Sequence, residues 1–167
     1  MRRAFPHCVI LAAIAAASGA CSASNAPAAT ARNFRLVSYG GAALPVVLRR
    51  IVETSTQPGG STTNCDDKLT ASTLLLLDAG RFAQADSHLL VCDDGRRDVA
   101  SQASLQGTYQ AGADTVVLDA DLGGGTHYVS LARLSGGALT IYRREGRTDR
   151  GATAIDPTPL VFEATTN

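Results

Sequence analysis

Apolar and polar side chains change places at almost every step through much of this chain, which is the period of a strand with one buried face. In Thr115 to Asp121, the residues Val116, Leu118 and Ala120 share one side, and Asp119 and Asp121 take the other. Tyr128, Ser130, Ala132 and Leu134 share a face within Thr126 to Leu134, and Leu139 and Ile141 oppose Thr140 and Tyr142 within Ala138 to Arg144. Further strands are expected at Phe34 to Tyr39, Pro45 to Thr54, Leu69 to Leu77, Arg81 to Cys92, Ala103 to Ala111 and Pro159 to Ala164. Turn residues separate them at Pro58-Gly59-Gly60, Asp78-Ala79-Gly80, Asp93-Asp94-Gly95, Gly112-Ala113-Asp114, Gly123 to Gly125, Ser135-Gly136-Gly137 and Glu145-Gly146-Arg147. About nine strands at this spacing, with no segment that requires a helix, predict an all-β fold: an antiparallel meander closing into a barrel or sandwich.

One segment breaks the alternation. Leu74 to Leu77 are four consecutive Leu, which cannot all face one side of a strand. Cover on both faces is the first reading, and an outward patch at Leu75 and Leu77 for a partner or membrane is the second. The inward set is expected to be Phe34, Leu36, Leu74, Leu76, Phe82, Val116, Leu118, Tyr128, Leu139 and Ile141, either filling the interior or lining a cavity.

The first 20 residues have a different character. Arg2 and Arg3 precede an uncharged run from Cys8 to Ala17, followed by Ser18, Gly19 and Ala20, which is the layout of a secretory signal peptide. The run is only about half of the roughly 20 residues that span a bilayer. The sequence Ser18-Gly19-Ala20-Cys21 resembles the lipobox of bacterial lipoproteins. That resemblance implies cleavage before Cys21 and acylation of its thiol and amine, with Ser22 implying delivery to the outer membrane, facing the periplasm. Ordinary cleavage, giving a periplasmic or secreted protein, is the alternative. Each buried methylene of such an anchor contributes about 0.8 kcal/mol to membrane attachment. Residues 21–31 then form the lipidated Cys and a small-residue tether, and the β domain occupies 32–167.

Export changes the meaning of the 4 Cys. Cys8 leaves with the signal peptide and Cys21 takes the lipid, so Cys65 and Cys92 remain in an oxidising compartment and are expected to form a disulfide. A catalytic thiol is the competing reading, with His88 as the base nearest in sequence.

The segments Phe34-Arg35-Leu36-Val37-Ser38 with Leu44-Pro45, Leu74 to Gly80 with Phe82, Gly107-Thr108-Tyr109, and Leu134 to Leu139 resemble the lipocalin-like domains of small bacterial lipoproteins. The resemblance implies an up-and-down barrel of about eight strands whose mouth takes a small apolar ligand or lipid, with Phe34, Leu36, Leu76, Phe82, Leu118, Tyr128 and Ile141 as the ligand-facing residues. A solid barrel acting as a non-enzymatic interaction module for another envelope protein is the alternative.

Charge and motifs narrow the chemistry. With 15 basic against 15 acidic side chains and 5% aromatics, the chain has neither the basic face nor the stacking rows of a nucleic-acid binder. His88 and His127 belong to no metal-ligand spacing, Gly123 to Gly125 lack the Lys-Ser/Thr of a phosphate loop, and no serine sits in a Gly-x-Ser-x-Gly elbow. No cofactor, metal or enzymatic activity is expected, although a His–acid pair meeting in a cleft would reopen the question. Two charged groups stand out. Asp66-Asp67 and Asp93-Asp94 would form an acidic patch if Cys65 and Cys92 are bonded, and Arg143, Arg144, Arg147 and Arg150 would form either a solubilising cluster on an edge or an anion site.

Overall fold

The computed structural model describes residues 32–55, 59–95 and 97–165. The expected signal peptide, Cys21 and the tether lie outside the described residues. Among the described residues eleven strands make one antiparallel sheet: β1 (Arg32–Tyr39), β2 (Ala42–Ala43), β3 (Val46–Thr54), β4 (Thr62–Leu77), β5 (Arg81–Cys92), β6 (Arg97–Ala111), β7 (Thr115–Gly123), β8 (Thr126–Ser135), β9 (Ala138–Thr148), β10 (Gly151–Ala154) and β11 (Leu160–Ala164). Asp78–Gly80 form a short 3-10 turn between β4 and β5.

β1 pairs with both β4 and β11, which closes β1, β4, β5, β6, β7, β8, β9 and β11 into an eight-stranded up-and-down barrel. The three remaining strands are excursions. β3 continues the edge of β4 that β1 occupies further along: β1 pairs Thr73 to Leu76, and β3 pairs Thr62 to Leu69. β10 and β11 share one edge of β9 in the same manner. β6 pairs with β7 only over Thr108 to Ala111 but with β5 over Arg97 to Thr108. The far halves of β4, β5 and β6, together with β3, therefore form a sheet extending past the barrel's main pairing. Cys65 and Cys92 face each other on β4 and β5 in that extension and are joined by the predicted disulfide.

The barrel is closed around an apolar cluster that includes Phe34, Leu36, Leu74, Leu76, Phe82, Val116, Leu118, Leu139, Ile141 and Phe162. Register explains the packing. Leu36 faces Phe162, which faces Leu139, so three neighbouring strands contribute one layer. Gly107 is required where β6 meets β7: a Cβ there would stand 2.1 Å from the Asp119 carbonyl oxygen and 2.7 Å from the Phe82 ring. The Leu run obeys simple alternation after all. Leu74 and Leu76 are buried, Leu75 is 36% exposed and Leu77 lies between, so the run is not covered on both faces.

Candidate functional site

Strict alternation fails at several bulges, and three of these failures have the same consequence. Val37 in β1, Thr70 in β4 and Tyr142 in β9 are extra residues in their ladders. A bulge shifts the pleat by one residue, so the next inward position comes three residues after the last instead of two. Leu36 is thus followed inside the barrel by Tyr39, Leu69 by Ser72, and Ile141 by Arg144. The Thr70 bulge is tied down by its own hydroxyl, which donates to the Ser87 carbonyl at 2.9 Å.

These three polar residues meet others arriving in normal phase. Asp67 lies in phase with Cys65 and Leu69 on β4; Gln84, Asp86 and His88 lie in phase with Phe82 on β5; and Ser130 follows Tyr128 on β8. The result is a recess of about 120 Å³ with Leu69, Ile141 and Leu160 among its walls, and with Tyr39, Ser72, Gln84, Asp86, His88, Tyr128, Ser130 and Arg144 around it. Leu48, the extra residue of a bulge in β3, joins the lining. The larger hollows lie elsewhere, such as one of about 330 Å³ between outward side chains of β8 and β9.

Two hydrogen-bonded groups frame the recess. Arg144 donates from Nη2 to the Thr158 carbonyl at 2.9 Å, pairs with Asp156 at 2.8 Å and lies over the Tyr39 ring. The Tyr39 hydroxyl donates to Asp156 Oδ2 at 2.5 Å. Burial pushes the Asp156 carboxyl upward, but the bonds from Tyr39 and Thr158 and the Arg144 charge outweigh it and hold it at about 2. Burial also raises the Tyr39 phenol, and its bond to Asp156 adds to the effect. Beside His88, Asp67 is 5% exposed, lies 3.0 Å from His88 Nδ1 and accepts from Arg49 Nε at 3.0 Å. Burial again works against its charge, and the His88 and Arg49 contacts prevail, so this carboxyl sits below the usual range.

Other groups facing the recess keep bonding capacity in reserve. Ser72 is 1% exposed, yet neither its Oγ nor Arg144 Nε has a hydrogen-bond partner among the described residues. Asp86 accepts only from Gln84 Nε2, at 3.1 and 3.3 Å, and has no cation beside it among the described residues.

The ligand-facing residues expected from the sequence divide. Phe34, Leu36, Leu76, Phe82 and Leu118 pack against one another in the core, while Tyr128 and Ile141 line the recess. The charged groups divide as well. Arg143 and Arg147 both pair with buried Glu145, the latter at 3.0 Å, whereas Arg144 turns inward, so these arginines do not form one cluster. Asp66 pairs with Arg50, Asp67 faces inward, and Asp93 accepts from Asn64, which disperses the expected acidic patch. Among the described residues no three His, Cys, Asp or Glu side chains form a metal-ligand group. His127 stands 2.8 Å from Asp119, but both are over two-fifths exposed and neither lines the recess.

Sequence reasoning considered His88 and missed Ser72, Asp67, Asp86, Tyr39 and Arg144 as members of one site. Asp67 between Cys65 and Leu69 was the available signal, because a charge in phase with two inward residues needs an interior partner. Comparison of the chain with protein-family models, curated proteins and solved structures gave no match.

Proposed function

We propose that this chain is a lipid-anchored cell-envelope protein, held to the outer membrane through Cys21, whose barrel binds a small polar molecule in the recess. One observation carries the binding reading: Ser72, Arg144 and Asp86 line one cavity, Ser72 Oγ and Arg144 Nε have no hydrogen-bond partner among the described residues, and the Asp86 carboxylate accepts only from Gln84. Buried polar groups are ordinarily satisfied, so such a set is a ready partner for a polar guest. The volume of about 120 Å³ falls below the roughly 300 to 1,000 Å³ of drug-sized pockets, which favours a guest of few heavy atoms over an acyl chain. The ligand class argued from geometry is therefore polar, in place of the apolar ligand implied by the lipocalin-like resemblance.

Arg144 is already neutralised by Asp156, whereas Asp86 is not neutralised, so a small hydroxylated cation fits the charge. Ethanolamine is a suitable probe. Saturating ethanolamine should raise Tm by a few degrees in the native protein and leave Asp86→Asn unmoved. Equal response of both proteins, or none in either, would contradict the reading. Anchoring is tested separately: Cys21→Ser should move the protein from the membrane to the soluble fraction, and mass spectrometry of the native chain should find acyl groups on Cys21.

The packed core also supports a second reading, an interaction module for an envelope protein. Val47, Leu48, Val52 and Leu75 are the exposed apolar residues on β3 and β4 that such a partner would cover.

A further inference from the structure

The recess holds the three kinds of side chain that nucleophilic acyl transfer needs. His88 lines it with Nδ1 3.0 Å from the Asp67 carboxylate, which can only accept, so the neutral ring carries its proton on Nδ1 and offers Nε2 as the acceptor. Ser72 lines the same recess with an unpartnered, buried hydroxyl. Its strand partner on β5 is Asp86, one inward position from His88, so serine and imidazole are diagonal neighbours on adjacent strands. Arg144 contributes an N–H at Nε with no acceptor, in a site enclosed enough for a developing oxyanion to value it. No sequence motif announces this set because its members are brought together by barrel closure and by the bulges at Thr70 and Tyr142.

We propose that Ser72 is a nucleophile, with His88 as its general base, Asp67 as the positioning residue for His88 and Arg144 Nε–H as the oxyanion donor, acting on small esters of short acyl groups. In the step, the Ser72 hydroxyl proton passes to His88 Nε2 as Oγ bonds to the carbonyl carbon. The carbonyl oxygen takes the negative charge opposite Arg144. The alcohol then leaves with the proton from His88, and water, deprotonated by the same nitrogen, releases the carboxylic acid and frees Ser72. The recess volume of about 120 Å³ sets the size limit. This inference shares its cavity with the proposed binding site but does not depend on ethanolamine occupying it.

Methanesulfonyl fluoride is a test reagent small enough for the recess. Attack forms an Oγ–S bond and breaks the S–F bond, and fluoride leaves with the proton taken from Ser72. Intact-mass analysis of the native protein should show one methanesulfonyl group, and peptide mapping should place it on Ser72. Ser72→Ala should remain unlabelled, and Ser104→Ala, at an exposed position outside the recess, should label at the native rate. His88→Gln should slow labelling by about 100-fold or more. Asp67→Asn should slow it too and change its pH profile, which a merely structural role would not do. Native protein that stays unlabelled, a label on any other residue, or Ser72 labelling that ignores His88→Gln would each overturn the proposal. An absent Tm response to ethanolamine combined with Ser72 labelling would reject the binding reading alone.

Discussion

β4 runs through two regions of opposite character, and the contrast between them organises the molecule. Its C-terminal end gives Leu74 and Leu76 to an apolar core. Just before them, Ser72 lines a recess rich in polar side chains, and Asp67 contacts the His88 that lines it too. The apolar half gains stability in proportion to the area it removes from water and demands only size and pattern. The polar half must place each donor against an acceptor, and two atoms there have none among the described residues. One strand thus carries both the part that holds the fold and the part that leaves bonding capacity unspent, and the change falls between Ser72 and Leu74, just past the Thr70 bulge.

Substitutions should separate the two regions, beginning where the loss is greatest. Phe162→Ala, at a fully buried core position, should cost about 3 to 5 kcal/mol in urea unfolding. Replacing both Cys65 and Cys92 by Ala should cost about 3.5 kcal/mol, because the bond closes a loop with a sequence separation of 27. That loss belongs to the polar extension, so the near-ultraviolet signal of Tyr residues and any labelling at Ser72 should weaken before the core melts.

Smaller effects probe the Tyr39–Asp156–Arg144 group. Asp156→Asn leaves the Arg144 guanidinium without its carboxylate and should cost about 1 to 3 kcal/mol, less than a fully buried pair because Asp156 keeps some exposure to water. The same carboxylate, with Asp67, sets an acid limit. Both have folded-state values below their ordinary ones, so their contribution is complete above about pH 4 and is lost as pH falls toward about 2, where Asp156 takes its proton. Tm measured down that range should fall, and the fall should be shallower in Asp156→Asn. At the bottom of the scale, Val52→Thr on the exposed β3 edge should change stability by no more than about 0.5 kcal/mol.

The core was legible because its signal is local. A period of two needs only nearest neighbours, and it located nine of the strands and the inward placement of Phe34, Leu74, Phe82, Val116 and Leu139. The disulfide was legible because the expected leader and lipid site claim Cys8 and Cys21, which leaves Cys65 only one partner in the sequence. The recess was not legible, and the reason is geometric. Alternation counted from Ile141 assigns Arg143 inward and Arg144 outward, and the Tyr142 bulge reverses both. Bulges depend on the partner strand, so a pattern read from one strand cannot contain them. His88 looked isolated because its acid lies on another strand, at a separation fixed by the β4–β5 register and not by any motif.

Ser72 is where the contrast can be put to its most direct test. A buried hydroxyl without a protein partner carries a desolvation cost of about 1 to 3 kcal/mol, which a methyl group would remove. If the recess exists for function, Ser72→Ala should raise the unfolding free energy by about 1 kcal/mol in urea titration, the usual exchange of stability for activity. A loss of similar size would show that the hydroxyl holds the fold together, and the division of the barrel into a stabilising half and a functional half would be wrong.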